Sequence, residues 1–284
     1  QWRADTAWAW LDGSDRPAVL CDAPTLLETH AAGGRAVVLF VDTFNGAFER
    51  ENVVAALDVL AAAGYRVHVP RWRREGERDE RNLCCGRTYL SVGMVDEATR
   101  HAERLLDVIA PFARAGIAVL GLEPSCLFTL KDELPSLRLG EDATVVAGQA
   151  MLIETFLDRE ARAGRLDALR ARLRPATAPL LVHGHCHQKA FAEMQPTLAL
   201  LRLIPDADPK LIESSCCGMA GAFGYEARHQ DISMAMAEQA LLPAVRAAPG
   251  ATLVATGTSC RQQIAHGSAR AARHAIRVLA EHLT

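Results

Sequence analysis

An α/β chain of two pseudo-symmetric, parallel-sheet (Rossmann-like) modules is what this sequence predicts, on three observations. Short apolar, β-branched runs alternate with stretches of helical spacing, the order that parallel sheets require. A motif also recurs. Cys84-Cys85-Gly86 is followed at Cys126 by a third thiol in Glu-Pro-Ser-Cys, and Cys216-Cys217-Gly218 is followed at Cys260 by another in Gly-Thr-Ser-Cys. The gaps nearly match, 41 positions after Cys85 and 43 after Cys217, and only Cys21 and Cys186 of the eight cysteines fall outside the scheme. Finally, Cys126, Cys186, Cys216 and Cys260 each come just after an expected strand, where open parallel sheets place their ligand sites.

The elements follow in order. Ala36 to Val41 is a continuous apolar run of the kind buried on both faces of a sheet. Glu49 to Ala63 carries apolar residues at helical spacing and stops at Gly64. Tyr65 to Val69 is the next strand, ended by Pro70. Arg71 to Arg81, dense in both charge signs, reads as a solvated loop. Residues 91–115 are helical up to Gly116, and Ile117 to Leu122 is a third strand leading to Cys126. A long helical stretch over 142–173 links the halves. The second half repeats the order: a strand at Leu180 to Val182, a helix over 189–202, a short strand from Lys210 to Glu213, a helix over 226–247, and a strand from Thr252 to Thr256. The expected organisation is an N-terminal segment (1–35), a first module (36–141), a helical connector (142–178) and a second module (179–284). Trp2, Trp8 and Trp10 crowd the opening segment, which is expected to continue from an upstream domain.

Composition narrows the function. Of 284 residues half are hydrophobic, and the formal net charge is −3, which gives nucleic acid no basic face to bind. No apolar run approaches the roughly 18 residues of a membrane span. With no signal peptide visible, the expected setting is the reducing cytoplasm, in solution or peripheral to the inner membrane. A disulfide between adjacent cysteines closes a strained ring, so two such pairs argue for thiolates gathered to bind a soft metal or an iron–sulfur cluster. For both members of a Cys-Cys pair to face one site the backbone must turn, which Gly86 and Gly218 permit.

Other groups sit near the thiols. His183, His185 and His187 alternate around Cys186; on an extended segment they would share one face, although a turn at Gly184 would break that arrangement. They are candidates for ligation, His185 and His187 first, or for hydrogen bonds that tune a centre. The glycine-rich run from Gly218 to Gly224 lacks the spacing of a dinucleotide fingerprint and the lysine of a P-loop, and reads as a loop wrapped around a cluster. Arg87, Lys189 and Arg261 each lie within three residues of a motif cysteine and would offset negative charge. Glu123 and Glu213 are candidate oxygen ligands, and Cys21 an ordinary thiol.

The doubled Cys-Cys-Gly, with the segments VLFVDTFNGAFERENVVAAL, LCCGRTYLSVG, GLEPSC, HGHCHQKAF, ESSCCGMAGAFGYE and TGTSCRQQ, resembles the CCG (cysteine-rich) domain family over about Ala36 to His274. That family includes the heterodisulfide reductase B subunit, the glycolate oxidase iron–sulfur subunit and the C-terminal part of fused FAD-linked oxidases such as D-2-hydroxyglutarate dehydrogenases. The last branch is the most similar. The resemblance implies two CCG modules, each supplying a lone cysteine, the pair and a closing Cys-x-x-Cys. Carried over, the second keeps Cys186, Cys216, Cys217 and Cys260, with Gly257 where the closing motif would start; those four thiols imply a 4Fe-4S cluster. The first keeps Cys84, Cys85 and Cys126 but lacks the lone cysteine near Asp42-Thr43 and has Glu123 at the start of the closing motif. A single iron or zinc ion, a cluster with a non-thiol ligand and an empty relic site are all open there.

The implied role is electron transfer within a flavin-linked 2-hydroxy-acid dehydrogenase. FAD and ferredoxin-like domains, neither with a motif in these residues, would lie upstream as partners, and an acceptor such as a quinone or an electron-transfer protein would take the electrons. Alone, the chain should not oxidise the hydroxy acid. The competing reading is a structural zinc or iron module without redox function, in which water, a histidine or Glu123 completes a three-cysteine site.

Overall fold

The computed structural model describes residues 4–13, 17–73 and 82–284. Trp2 and most of the charged loop expected over 71–81 lie outside them. The chain divides into two compact units, 1–156 and 157–284. Each contains a parallel sheet with flanking helices.

In the first unit, β1 (Ala36–Phe40), β2 (Arg66–His68), β3 (Ala118–Gly121) and β4 (Ala150–Leu152) form a sheet of order β2-β1-β3-β4. All its pairs are parallel. β1 lies inside, and Val37 to Phe40 are buried, as a run apolar on both faces demands. The helix Arg50–Ala62 ends where Tyr65 N donates to Leu60 O beside Gly64 at φ +79°, a left-handed stop that glycine adopts without steric cost. The helix Val95–Arg114 buries Ala98, Ala102, Leu105, Leu106, Ile109 and Phe112, one stripe at three- and four-residue spacing. Trp8, on the short helix Ala7–Leu11, packs inward on this unit: a Cβ at Gly46 would lie 2.3 Å from its Nε1.

In the second unit, β5 (Leu180–His183), β6 (Lys210–Leu211) and β7 (Thr252–Ala255) form a parallel sheet of order β6-β5-β7. The order β2-β1-β3 is the same arrangement in the first unit, consistent with two similar modules.

Three sequence expectations are corrected. The helical run over 142–173 is interrupted by β4, whose Ala150, Met151 and Leu152 pair with β3 between the helices Glu141–Gln149 and Ile153–Arg162. Three apolar residues between two helical patterns leave no period of their own to read. The helix expected over 189–202 is two, Cys186–Ala190 and Met194–Leu201, and that over 226–247 breaks between Gln230–Glu238 and Leu241–Ala247. Both breaks share a cause. Pro196 and Pro243 are the third residue of the later helix, where the ring has no N–H for the carbonyl four residues back and clashes with it. Those carbonyls belong to Ala192, at φ +57°, and Gln239, next to Ala240 at φ −152°. No helix among the described residues is long and apolar enough to cross a membrane.

Leu105 is 1% exposed in the stripe of Val95–Arg114, so Leu105→Ala should destabilise the first unit by about 2–5 kcal/mol. Denaturant unfolding, with hydrogen exchange to localise the loss, checks this.

Candidate metal centre

The second unit gathers its thiols where β5, β6 and β7 end. His183 is the last residue of β5, Gly184 turns the chain, and Cys186 opens the helix Cys186–Ala190. Cys216 and Cys217 follow β6 after a short extended stretch. Cys260 is the third residue of Thr258–Ser268, which follows β7. Cys217 and Cys260 are buried, Cys216 is half-buried and Cys186 is exposed at the rim. No disulfide joins any of the eight cysteines, all of which lie among the described residues.

Side-chain bonds knit these segments together. Lys189, one turn after Cys186, donates to Ser215 O at 2.8 Å and to Ser214 O, pinning the approach to Cys216. Burial lowers the pKa of that ammonium, against the pull of the neighbouring thiolates. Gln188 accepts from the Thr256 hydroxyl and donates to Thr197 Oγ1 at 3.0 Å, joining the start of the Cys186 helix to the end of β7. Arg261 closes its own turn, donating to Ala255 O at 2.8 Å and Thr256 O at 2.7 Å. Gly218, at φ +94°, directs its N–H at Cys216 Sγ from 3.3 Å.

His183 completes the group. Its Nδ1 lies 3.0 Å from Ser214 Oγ. Its buried Nε2 meets no nitrogen or oxygen partner and faces sulfur. The ligand atoms of His183, Cys217 and Cys260 lie within 4.8 Å of one another, a spacing met by no other set of three such residues among those described. The tautomer sets its role: with the proton on Nδ1, donating to Ser214, Nε2 offers a lone pair to a metal, and with the proton on Nε2 the ring donates towards Cys260 sulfur.

Electrostatics alternate along the thiols. Cys216 is held well below an ordinary thiol, first by the hydrogen bond from Cys186 and then by that from Cys217, with Gly218 N–H adding to both. Cys260 is likewise held down, by Cys217 first and by His183 and His185 after it. Cys186 and Cys217 are pushed up, chiefly because each is the donor in these bonds. Adjacent acids that share protons separate in this way. A bound cation removes the conflict, since thiol ligands bind deprotonated. The orphaned buried imidazole nitrogen and four converging sulfurs therefore fit a soft or borderline metal centre.

The other histidines have different work. His185 is the N-cap of Cys186–Ala190: its Nδ1 accepts from His187 N at 3.2 Å, while Gln188 Oε1 accepts from His185 N at 3.3 Å. Its ring lies against Gly257, where a Cβ would be 2.3 Å from His185 Cδ2. His187 is half-buried, its ring edge-on to that of His185 with centroids 5.1 Å apart. Glu213 is exposed. The sequence puts His185 and His187 ahead of His183 as ligands; the structure groups His183 with Cys217 and Cys260, because β5 ends at 183 while 185 caps and 187 sits within the next helix.

The first unit brings together Cys84, Cys85 and Cys126, with the last two buried. Gly86 N–H faces Cys84 Sγ from 3.5 Å. All three thiols are raised. Cys84 donates to Cys85 and Cys85 donates to Cys126. Cys126, although held down by that bond, reaches about 11 through burial and the charges of Asp42 and Glu123. Glu123 is a buried N-cap whose Oε1 accepts from Ser125 Oγ at 2.8 Å. Asp42 caps Thr43–Ala47, accepting from Phe44 N at 2.9 Å and Asn45 N at 3.1 Å. Arg87 pairs with Glu133. Cys21 is buried, its Sγ 3.6 Å from Val67 O.

Comparison with known proteins places this arrangement. The profile of the CCG cysteine-rich domain family matches residues 180–265, the stretch that supplies His183 and all four thiols. Residues 180–265 are a CCG cysteine-rich domain. The chain is 28% identical over 202 residues to the C subunit of the anaerobic glycerol-3-phosphate dehydrogenase of Escherichia coli (strain K12), covering 70% of this chain and 49% of that protein. It is 25% identical over 272 residues to D-2-hydroxyglutarate dehydrogenase of Pseudomonas putida, covering 93% of this chain and 24% of the other. The E. coli (strain K12) D-2-hydroxyglutarate dehydrogenase is 25% identical over 190 residues, 66% of this chain and 18% of its own length. The matched part of the chain thus spans about half of the glycerol-3-phosphate dehydrogenase C subunit and a quarter or less of the D-2-hydroxyglutarate dehydrogenases.

Two measurements test this geometry. At Gly218 a Cβ would lie 2.1 Å from Ser233 O; Gly218→Ala should cost at least the roughly 1–3 kcal/mol of a strained backbone and lower the metal content of the isolated protein, read by thermal unfolding and elemental analysis. Asp42 is raised from 3.8 to about 7 by burial and then by the Glu123 charge. Its folded pKa lies above its unfolded one, so the stabilisation is complete below about pH 4 and is lost as pH rises towards 7. Between pH 4 and 8 the Tm of Asp42→Asn should therefore fall less than that of the parent.

Proposed function

We propose that this chain is the iron–sulfur electron-transfer part of a flavin-linked 2-hydroxy-acid dehydrogenase, of the D-2-hydroxyglutarate dehydrogenase kind. The observation that carries the reading is the run of sulfur contacts from Cys186 through Cys216 and Cys217 to Cys260, with His183 grouped beside the last two. Four thiolates are the ligand set of a 4Fe-4S cluster, which takes up and releases one electron at a time. The chain's own groups would set how readily that happens. Gly218 N–H points at Cys216 sulfur, His183 faces Cys260, and Lys189 brings positive charge beside all four thiols; donors and charges of this kind raise a cluster's potential. The similarity to the two dehydrogenases supports FAD and ferredoxin-like domains as the electron source. A quinone or an electron-transfer protein would be the acceptor.

One observation favours a second reading. Nε2 of His183 with Sγ of Cys217 and Cys260, all within 4.8 Å of one another, would also suit a single zinc ion with a fourth thiol. Zinc accepts no electron, so composition separates the two. Anaerobically purified protein should hold about four irons and four sulfides and show an EPR signal after dithionite. Stoichiometric zinc without sulfide would establish the structural reading instead. His183→Ala should keep the iron and move the reduction potential; loss of all metal in that variant favours the zinc site. In the flavin-containing enzyme, Cys217→Ser should leave flavin reduction by substrate intact and abolish reduction of the acceptor.

A further inference from the structure

The sheet registers align the two modules residue by residue. The last pair between central strand and neighbour is Phe40↔Gly121 in the first unit and His183↔Ala255 in the second. Counting on from them, Thr43 and Cys186 both lie three residues further, and Cys126 and Cys260 both lie five further. The correspondence extends to detail. Thr43 and Cys186 each open a helix and are exposed. Each also bonds the first sulfur of the pair, Thr43 to Cys84 and Cys186 to Cys216. Asp42 and His185 are both N-caps, as are Glu123 and Gly257.

Two metal-binding groups of the second module are thus replaced in the first. Phe40, 1% exposed, packs in one hydrophobic cluster with Cys85 and Cys126 at the position where His183 presents Nε2. Thr43 supplies a hydroxyl, a poor ligand for a soft metal, where Cys186 supplies a thiol. The carboxylates already have partners. Asp42 spends one oxygen on the amides of Phe44 and Asn45 and the other on Asn45 Nδ2 at 2.7 Å, and Asn45 in turn accepts from Asn52 at 2.8 Å. Glu123 caps Ser125.

We propose that the first module is a copy without a metal centre: Cys84, Cys85 and Cys126 stay thiols without a metal, while Asp42 and Glu123 cap the helices that follow β1 and β3 and Thr43 bonds Cys84 in place of a fourth thiol. The inference rests on reading the second module as the metal site, and the chain would then carry a single centre.

The test uses the whole chain, purified anaerobically. Iron, sulfide and zinc are measured on the parent, Cys85→Ser and Cys217→Ser, and iodoacetamide labelling of the parent is mapped by mass spectrometry before and after metal removal. Cys85→Ser should retain the parent's metal, and Cys217→Ser should lose it at least tenfold. In the parent, Cys84 should label at the same rate with and without metal, while Cys186 and Cys216 should label only once metal is removed. Loss of half or more of any metal in Cys85→Ser, or Cys84 labelling that appears only after metal removal, would overturn the proposal. The labelling holds even if Cys85→Ser folds poorly. A metal-free parent in which Cys84, Cys186 and Cys216 label alike defeats the reading of the second module and leaves the statement about the first standing.

Discussion

Crowded sulfur is the constraint around which the second unit is arranged. Four thiols brought together at strand ends, two of them buried, cannot all ionise without a counter-charge. The alternation of lowered Cys216 and Cys260 with raised Cys186 and Cys217 is the compromise. The surrounding bonds of Lys189, Gln188, Arg261 and Ser214 hold three separate chain segments at a spacing that repulsion would otherwise widen. Parallel topology makes this economical, because every strand delivers its chain end to the same edge of the sheet.

The same topology explains how a module can keep its fold after its donors change. Register is fixed by the buried apolar faces of β1 and β3, independently of what lies beyond their ends. Phe40 adds apolar burial where His183 brings a polar atom. Asp42 and Glu123 satisfy helix N-termini that the second unit satisfies with His185 or leaves without a side-chain cap at Gly257. Caps of this kind contribute about 0.5–2 kcal/mol each, enough to matter in a structure whose net stability is small.

Much of this was legible in the sequence. The paired cysteines and the strands before Cys126, Cys186 and Cys260 stood out because buried parallel strands are continuous apolar runs. The stops at Gly64 and Gly116 carried their own signal. β4 did not, being three residues long. Neither did the helix breaks, since the effect of Pro196 and Pro243 falls on the carbonyls of Ala192 and Gln239, four residues earlier. Among the histidines, extended alternation treats 183, 185 and 187 alike. The fold assigns them to a strand end, a cap and a helix, and among the described residues the strand-end histidine is the one grouped with Cys217 and Cys260 within 4.8 Å. The spacing that reveals it, His183 to Cys186 beside Ala255 to Cys260, becomes visible only when β5 is aligned with β7.

The contact between the His185 ring and Gly257 constrains the order in which this site can change. A side chain at 257 needs the space that the ring fills, and removing the ring first uncaps the Cys186 helix. A side chain at 257 is therefore penalised by a clash while the ring is present, and at 185 only a residue that caps without a ring avoids the opposite loss. Space for a side chain at 257 is consequently opened without uncapping the Cys186 helix only by a small capping residue such as Asn or Asp at 185, so the two positions change most cheaply in that order.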